Sequence, residues 1–323
     1  MYNHMLNLLQ TNFSHRSVEE KDMTWVSALL NKANAILILK DILNQPELLQ
    51  RIEDRSYTHA LGFDKIILAD LSKDIDKSLP KTQIRLHLWD PKNTAALPIV
   101  ESLHEHSFDF ISTVLTGYLE NQQYSFKHTL SHEEEQLLNH LLMWRELSSD
   151  EEVKEVDRHI EIIEARRLEL YGASQFDAMY HDEDASCSVD YVAKKTGFSK
   201  NQVIDILLNL QGHYVSNRVP GDKKAYKHIL SKYVSIKPHD VLSIHAGEHY
   251  YHPYTLPHRL FYDNKMFNST LLLTTPVASN AEGGSLQRPT YVKNNEQNYS
   301  KISYKKGELA NKLISYLKLL EAS

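Results

Sequence analysis

Residues 102–121, SLHEHSFDFISTVLTGYLEN, set His104 and His106 one residue apart ahead of an apolar run that ends at Gly117. In extended chain, alternate side chains share a face, so the two imidazoles point the same way. Converging imidazoles suit a metal ion, because neutral imidazole is the commonest protein ligand for first-row metals. The same spacing also describes two solvated histidines on an exposed strand, so a metal site needs a third ligand from elsewhere. The candidates are His239, His245, His249, His252 and His258. His258, in YTLPHRLFYDN, is the first choice: it opens a strand after Pro257, and Arg259 beside it turns to the other face. His249, in AGEHYYH, is the second, with Gly247 two residues ahead of it. The crowd of His245, His249 and His252 does not align on one strand face, and most of it reads as surface or supporting groups.

The elements that must carry these residues alternate in blocks. Residues 16–55 read helical, with Ser17 and Glu20 as a capping box and apolar residues at three- and four-residue intervals. YTHALGFDKIILADL and KTQIRLHLWDP read as strands, the second alternating Ile84, Leu86 and Leu88 against Arg85, His87 and Trp89 before Pro91. Short strands follow, with a turn at Gly117. Helices return after the capping box of Ser131 and Glu134, continue through EEVKEVDRHIEIIEARRLELYG to Gly172, and end in SVDYVAKKTGFSKNQVIDILLNL, two helices around a glycine turn. From Val234 strands resume, SNAEGGSLQRP reads as a mobile loop, and KGELANKLISYLKLLEA is a last helix. Four regions result: N-terminal helices over 1–55, a first barrel segment over 56–128, a helical insertion over 129–233, and a second barrel segment with the final helix over 234–323. Strands arriving in two runs favour an α+β chain built on a mainly β jelly-roll or cupin barrel over a βαβ sheet.

Composition narrows the function. Of 323 residues, 41% are hydrophobic and 24% charged, ordinary for a soluble globular protein, and the net charge of −6 argues against nucleic-acid or anionic-membrane binding. No apolar run approaches the roughly 20 residues of a membrane span, and no signal-peptide pattern opens the chain. A single cysteine, Cys187, in what reads as a polar loop, excludes an internal disulfide and any C-x-x-C site, and points to a cytoplasmic setting. No phosphate-binding glycine loop or nucleophile elbow is present.

The two histidine segments carry a resemblance. SLHEHSFDFISTVLTGYLEN resembles the first metal-binding segment of cysteine dioxygenase-type cupins, where H-x-H leads into an apolar strand, a glycine and a strand with acidic residues. LPHRLFYDNKMFNSTLLLTTP is similar to that family's second segment, and YTHALGFDKIIL sits where the family has a tyrosine-threonine-arginine strand. Together they span roughly residues 25–125 and 235–278. The resemblance implies a mononuclear Fe(II) dioxygenase whose ligands are His104, His106 and His258, with open positions for a small chelating, amino-acid-like or thiol-like substrate and O₂. Zn, Ni or Mn in the same site would imply a non-redox enzyme. Where many cupins place a glutamate after the second histidine this chain has Phe110 and Ile111, with Asp109 just before them, so the resemblance implies three histidines without a carboxylate. The family's substrate-clamping arginine is replaced by His59, its crosslinked cysteine falls at about Ile111, and its late tyrosine at about Thr274, which makes cysteine itself an unsuitable substrate.

His59, Tyr57 and Arg85 are therefore the remaining candidates for substrate or proton-handling roles. Arg85 suits a carboxylate through its bidentate guanidinium, or else forms an outer-face salt bridge. His59 and Tyr57 are alternatively structural. The glycine-turn helix pair invites a DNA-reading role and a metal-sensing regulator, but SKNQVIDILLNLQ carries one lysine and no arginine to meet phosphates and bases. A lid or homodimer contact is the simpler expectation for the insertion.

Overall fold

The computed structural model describes residues 1–13, 16–59, 62–71, 82–94, 103–127, 129–169, 183–207, 209–218, 225–263, 265–276, 284–287, 296–300 and 302–322. Helices α1 (Tyr2–Phe13), α2 (Met23–Leu29), α3 (Lys32–Leu43) and α4 (Pro46–Arg55) precede strands β1 (Tyr57–Thr58), β2 (Asp64–Asp70) and β3 (Gln83–Trp89). A turn of helix α5 (Pro91–Thr94), strands β4 (Phe108–Thr116) and β5 (Tyr118–Lys127), and helices α6 (His132–Leu147), α7 (Asp150–Glu169) and α8 (Glu183–Thr196) follow. The rest is β6 (Leu210–Arg218), β7 (Ala225–His245), β8 (His249–His252), β9 (His258–Tyr262), β10 (Asn268–Pro276), β11 (Gly284–Gln287), β12 (Glu296–Ser300), β13 (Ile302–Ser303) and α9 (Glu308–Ala322).

The strands form two antiparallel sheets. The first runs β13-β1-β2-β3-β10-β4-β8; the second runs β11-β6-β7-β5-β9, with β12 added on β7. Alternation along each strand sorts side chains between two cores. Ile84, Leu86, Leu88, Ile111, Leu271 and Leu273 face the helices of the N-terminal block and α9. Phe63, Trp89, Phe110, Val114 and Leu272 face the other way and meet Leu119, Ile244, Leu260 and Tyr262 of the second sheet. The order of layers is helices, sheet, sheet. Arg85 lies between Ile84 and Leu86, so it points between the sheets and is 8% exposed. The outer-face salt bridge is excluded for that reason.

The chain passes from the first sheet to the second at Gly117, whose φ is +80°. A Cβ there would sit 2.1 Å from Asn268 Oδ1, the oxygen that accepts a hydrogen bond from Tyr118 N. Both backbone conformation and space demand glycine at this crossing.

Several expectations need correction. Helix α1 extends the helical block upstream of residue 16, and Glu19 with Asp22, not Ser17 with Glu20, forms the capping box of the first 3₁₀ turn. The Ser131–Glu134 box is present. The insertion is not all helical: α6, α7 and α8 share a core of residues such as Leu141, Val156, Ile160 and Val192, but β6 and the first part of β7 form a hairpin on the second sheet. Strand β7 runs continuously through position 234. The second helix of the glycine-turn pair is a π-helical stretch, Gln202–Leu207, whose Val203, Ile204 and Leu207 enter the insertion core. Lys200 is paired with Asp190, and Lys195 lies 3.5 Å from Glu152. Cys187 lies on α8, not in a loop. Of SNAEGGSLQRP, Gly284–Gln287 pairs with β6 as a strand, and the rest lies outside the described residues, as does Gly172.

Candidate metal centre

His104, His106 and His258 come together, with ligating nitrogens all within 4.8 Å of one another. The local cause is a one-residue antiparallel bridge. His104 N donates to His258 O at 2.9 Å and His258 N donates to His104 O at 2.8 Å. This bridge fastens the segment bearing the first two histidines to the first residue of β9. His106 lies outside any strand, yet its ring is 4.8 Å from that of His104 and 5.0 Å from that of His258.

The ring nitrogens suit a cation. His258 Nδ1 donates to Asn121 Oδ1 at 2.7 Å, which leaves Nε2 as the bare nitrogen. That atom stands 2.9 Å from His106 Nε2. Two nitrogens each about 2.1 Å from one cation are about 3.0–3.4 Å apart for angles between perpendicular and tetrahedral. The observed separation is close to the lower end. Burial holds His106 and His258 well below the usual imidazole pKa, and the neighbouring histidines add to the effect. Neutral imidazoles are the form that binds metal.

His252 is next to the cluster but is not one of its ligands. Its ring centroid is 4.0 Å from that of His258. Nε2 donates to Leu256 O at 2.9 Å, so Nδ1 is the acceptor, 3.3 Å from Gln123 Nε2. Both nitrogens are engaged, and burial pushes this imidazole down to about 3. His249 is exposed and alternates to the opposite face of β8, and His245 is exposed beside the Tyr118 ring. The second-choice ligand His249 is thus placed away from the histidine cluster.

Aromatic rings wall the site. Phe108 stacks on His106 at 4.6 Å, and Phe110 lies 5.4 Å from His106 and 4.9 Å from His252. Arg85 places its guanidinium 4.5 Å over the far side of Phe108 and donates from Nε to Gln83 Oε1 at 3.0 Å. Desolvation pushes its pKa down to about 10. His59 stacks on Phe63 at 4.7 Å, with the Tyr57 ring 6.3 Å from His59, and Phe63 reaches His87 and Trp89. Tyr57 and His59 therefore belong to the β1 side of the interior, in a group with His87.

Sequence reasoning missed Asn121 as a support, whereas His252 fell in the crowd read as surface or supporting groups. A partial signal was available: Leu119, Asn121 and Gln123 alternate along β5, placing two amides on the face that also carries an apolar residue. It also missed Glu105, which lies between His104 and His106 and faces away, 2.6 Å from His213 Nε2 on β6.

No family model matches the chain, and no curated protein matches it. Among solved structures, Streptomyces albus HEPD with substrate 2-hydroxyethylphosphonate and Fe(II) bound is similar at 9% identity, covering 71% of this chain and 75% of that one, with a TM-score of 0.14. Overlap at that score is too slight to carry fold or function from one chain to the other, and the three-histidine cluster stands on its own geometry.

Proposed function

We propose that the chain is a jelly-roll, cupin-type metalloenzyme of the cysteine dioxygenase-like kind, holding Fe(II) through His104, His106 and His258 and acting on a small chelating substrate with O₂. The observation that carries the reading is the 2.9 Å approach of His106 Nε2 to the bare Nε2 of His258, inside a wall of rings. The strand order supports the architecture. If the one-residue bridge of the 103–106 segment stands in for a second strand, counting β3, that segment, β4, β5, β7, β8, β9 and β10 as one to eight gives orders 1-8-3-6 and 2-7-4-5, the orders expected of an eight-stranded double Greek key. The α6–α8 block and β6 are then an insertion between the fourth and fifth strands.

Bound iron would supply the redox capacity that no side chain here has. The chain's own residues do the rest. Asn121 fixes the tautomer of His258, the His252–Gln123 pair holds the ring behind it, and Phe108 and Phe110 keep water away from the imidazoles. Arg85 receives a substrate anion, while Tyr57 and His59 border the interior from β1. A Zn, Ni or Mn enzyme using the same ligands is the alternative, because three imidazoles bind several first-row ions.

The test is O₂ uptake by anaerobically prepared, Fe(II)-loaded protein across a panel of small thiols, amino acids and chelating acids. The reading expects substrate-dependent uptake that disappears in His258→Ala. Full metal loading with no uptake for any class would overturn the oxygenase and favour the non-redox enzyme.

A further inference from the structure

The segment that carries His104 and His106 belongs to no strand, and both imidazoles are part-exposed. Its side chains leave in different directions. His104 and His106 turn to His258, whereas Glu105 turns away and meets His213 Nε2 on β6 at 2.6 Å. Little solvent reaches that contact, since the Glu105 side chain is 12% exposed and that of His213 is 3%. Leu103, just before, joins Tyr124 of β5 and Val234 and Ile236 of β7 in a small buried cluster.

Strand β6 is shaped for this contact and passes it on. Its register against β7 slips between His213 and Tyr214, and a bulge at such a point re-aims the side chain beside it. Leu210, upstream on the same strand, and Tyr233, the cross-strand partner of Gly212, pack into the core shared by α6, α7, α8 and the π-helical stretch Gln202–Leu207. Ser235, opposite Leu210, donates from Oγ to Glu134 Oε1 at 2.7 Å, at the capped start of α6. A contiguous run of packed and hydrogen-bonded groups therefore joins the three-histidine centre to the helical block.

We propose that metal occupancy at this centre is transmitted to the insertion through Glu105 and His213, so that a loaded centre tightens β6 and the block α6–α8. The inference rests on the metal-centre reading. Glu105 shares a peptide bond with His104 and with His106, so fixing those two imidazoles on an ion also restricts the reach of the carboxylate between them. In the loaded chain the Glu105–His213 bond then forms with less loss of freedom, and β6 is held more firmly. Linkage makes the effect reciprocal: a partner or substitution that loosens the insertion weakens metal binding by the same factor. The insertion is on this account a responsive element of the centre, which neither a lid nor a dimer contact would require.

Amide hydrogen exchange of the full chain tests this, metal-free and saturated with Co(II), whose absorbance reports loading. In wild type, Co(II) should slow exchange at least about 5-fold at β4, β5 and β9, and also over Gln202–Leu207 and Leu210–Arg218. In His213→Leu, brought to the same Co(II) absorbance, the slowing at β4, β5 and β9 should remain and that in the two insertion stretches should be lost. Glu105→Gln, the milder change, should reduce the insertion effect in the same direction. Slowing confined to β4, β5 and β9 in wild type would overturn the proposal, as would insertion slowing that persists undiminished in both variants. Equal slowing in α3 and α9, across the first sheet, would mark general stabilisation and overturn it too. Absent Co(II) absorbance with no slowing anywhere is a different signature: it would overturn the metal-centre reading, and this inference with it.

Discussion

His258 Nδ1 stands 2.7 Å from Asn121 Oδ1, and this contact decides which nitrogen of His258 faces His106. Asn121 is fully buried on β5, one residue along from Gln122, whose cross-strand partner is Arg259. Replacing Asn121 by Leu keeps the approximate volume and removes the acceptor. Metal affinity should fall about 10- to 100-fold, the usual effect of losing such a support, with the fold retained. Competition with a chromophoric chelator reads the affinity, and circular dichroism checks the fold. Unchanged affinity would show that the tautomer is set by something other than Asn121.

Glu105 and His213 couple the His104–His106 segment to the insertion. Their 2.6 Å contact is largely buried, and it joins the residue between His104 and His106 to β6. His213→Ala should weaken metal binding several-fold without abolishing it, because the 103–106 segment loses its outer anchor while the three imidazoles remain. A double-mutant cycle with Glu105→Gln should show a coupling of about 1–3 kcal/mol. Strict additivity of the two substitutions would contradict the coupling.

The acid limb of stability has an identifiable contributor at the start of the helical block. Asp22 accepts two hydrogen bonds from Arg16, at 2.6 and 2.8 Å, and is held down to about 2 chiefly by them. A carboxyl with a depressed folded pKa contributes stability that is present above its unfolded value, about 3.9, and is lost as pH falls through the folded value. Because Arg16 is partly exposed, the contribution is discounted for screening to about 1 kcal/mol. Asp22→Asn should be less stable than wild type at pH 7 by this amount, and thermal melts of the two should converge between pH 4 and pH 2. A gap that persists at pH 2 would assign the effect to packing instead.

The legible parts of this chain are those set by near neighbours. The H-x-H spacing, the Ser131 cap, the alternation on β3 and the turn at Gly117 all depend on residues within a few positions. The position of His258 was also readable, from Pro257 and the strand that follows. Which way a strand face turns was not: Ile84 and Leu86 face the helices only because a helical layer covers that side, and this sends Arg85 inward. The support of His258 depends on β5 lying beside β9 in register, a contact across 137 residues that no local pattern encodes. Strand β7 was read short because its first half, AYKHILSKY, is polar and pairs with β6 and β12 away from the main core.

Metal content tests the central claim most directly. Protein purified anaerobically with Fe(II) supplied should carry about one metal ion per chain, and His104→Ala, His106→Ala and His258→Ala should each lose it, while His249→Ala keeps it. Metal retained at the wild-type level in folded His258→Ala, or a wild-type chain that binds no first-row metal, would contradict the three-histidine centre.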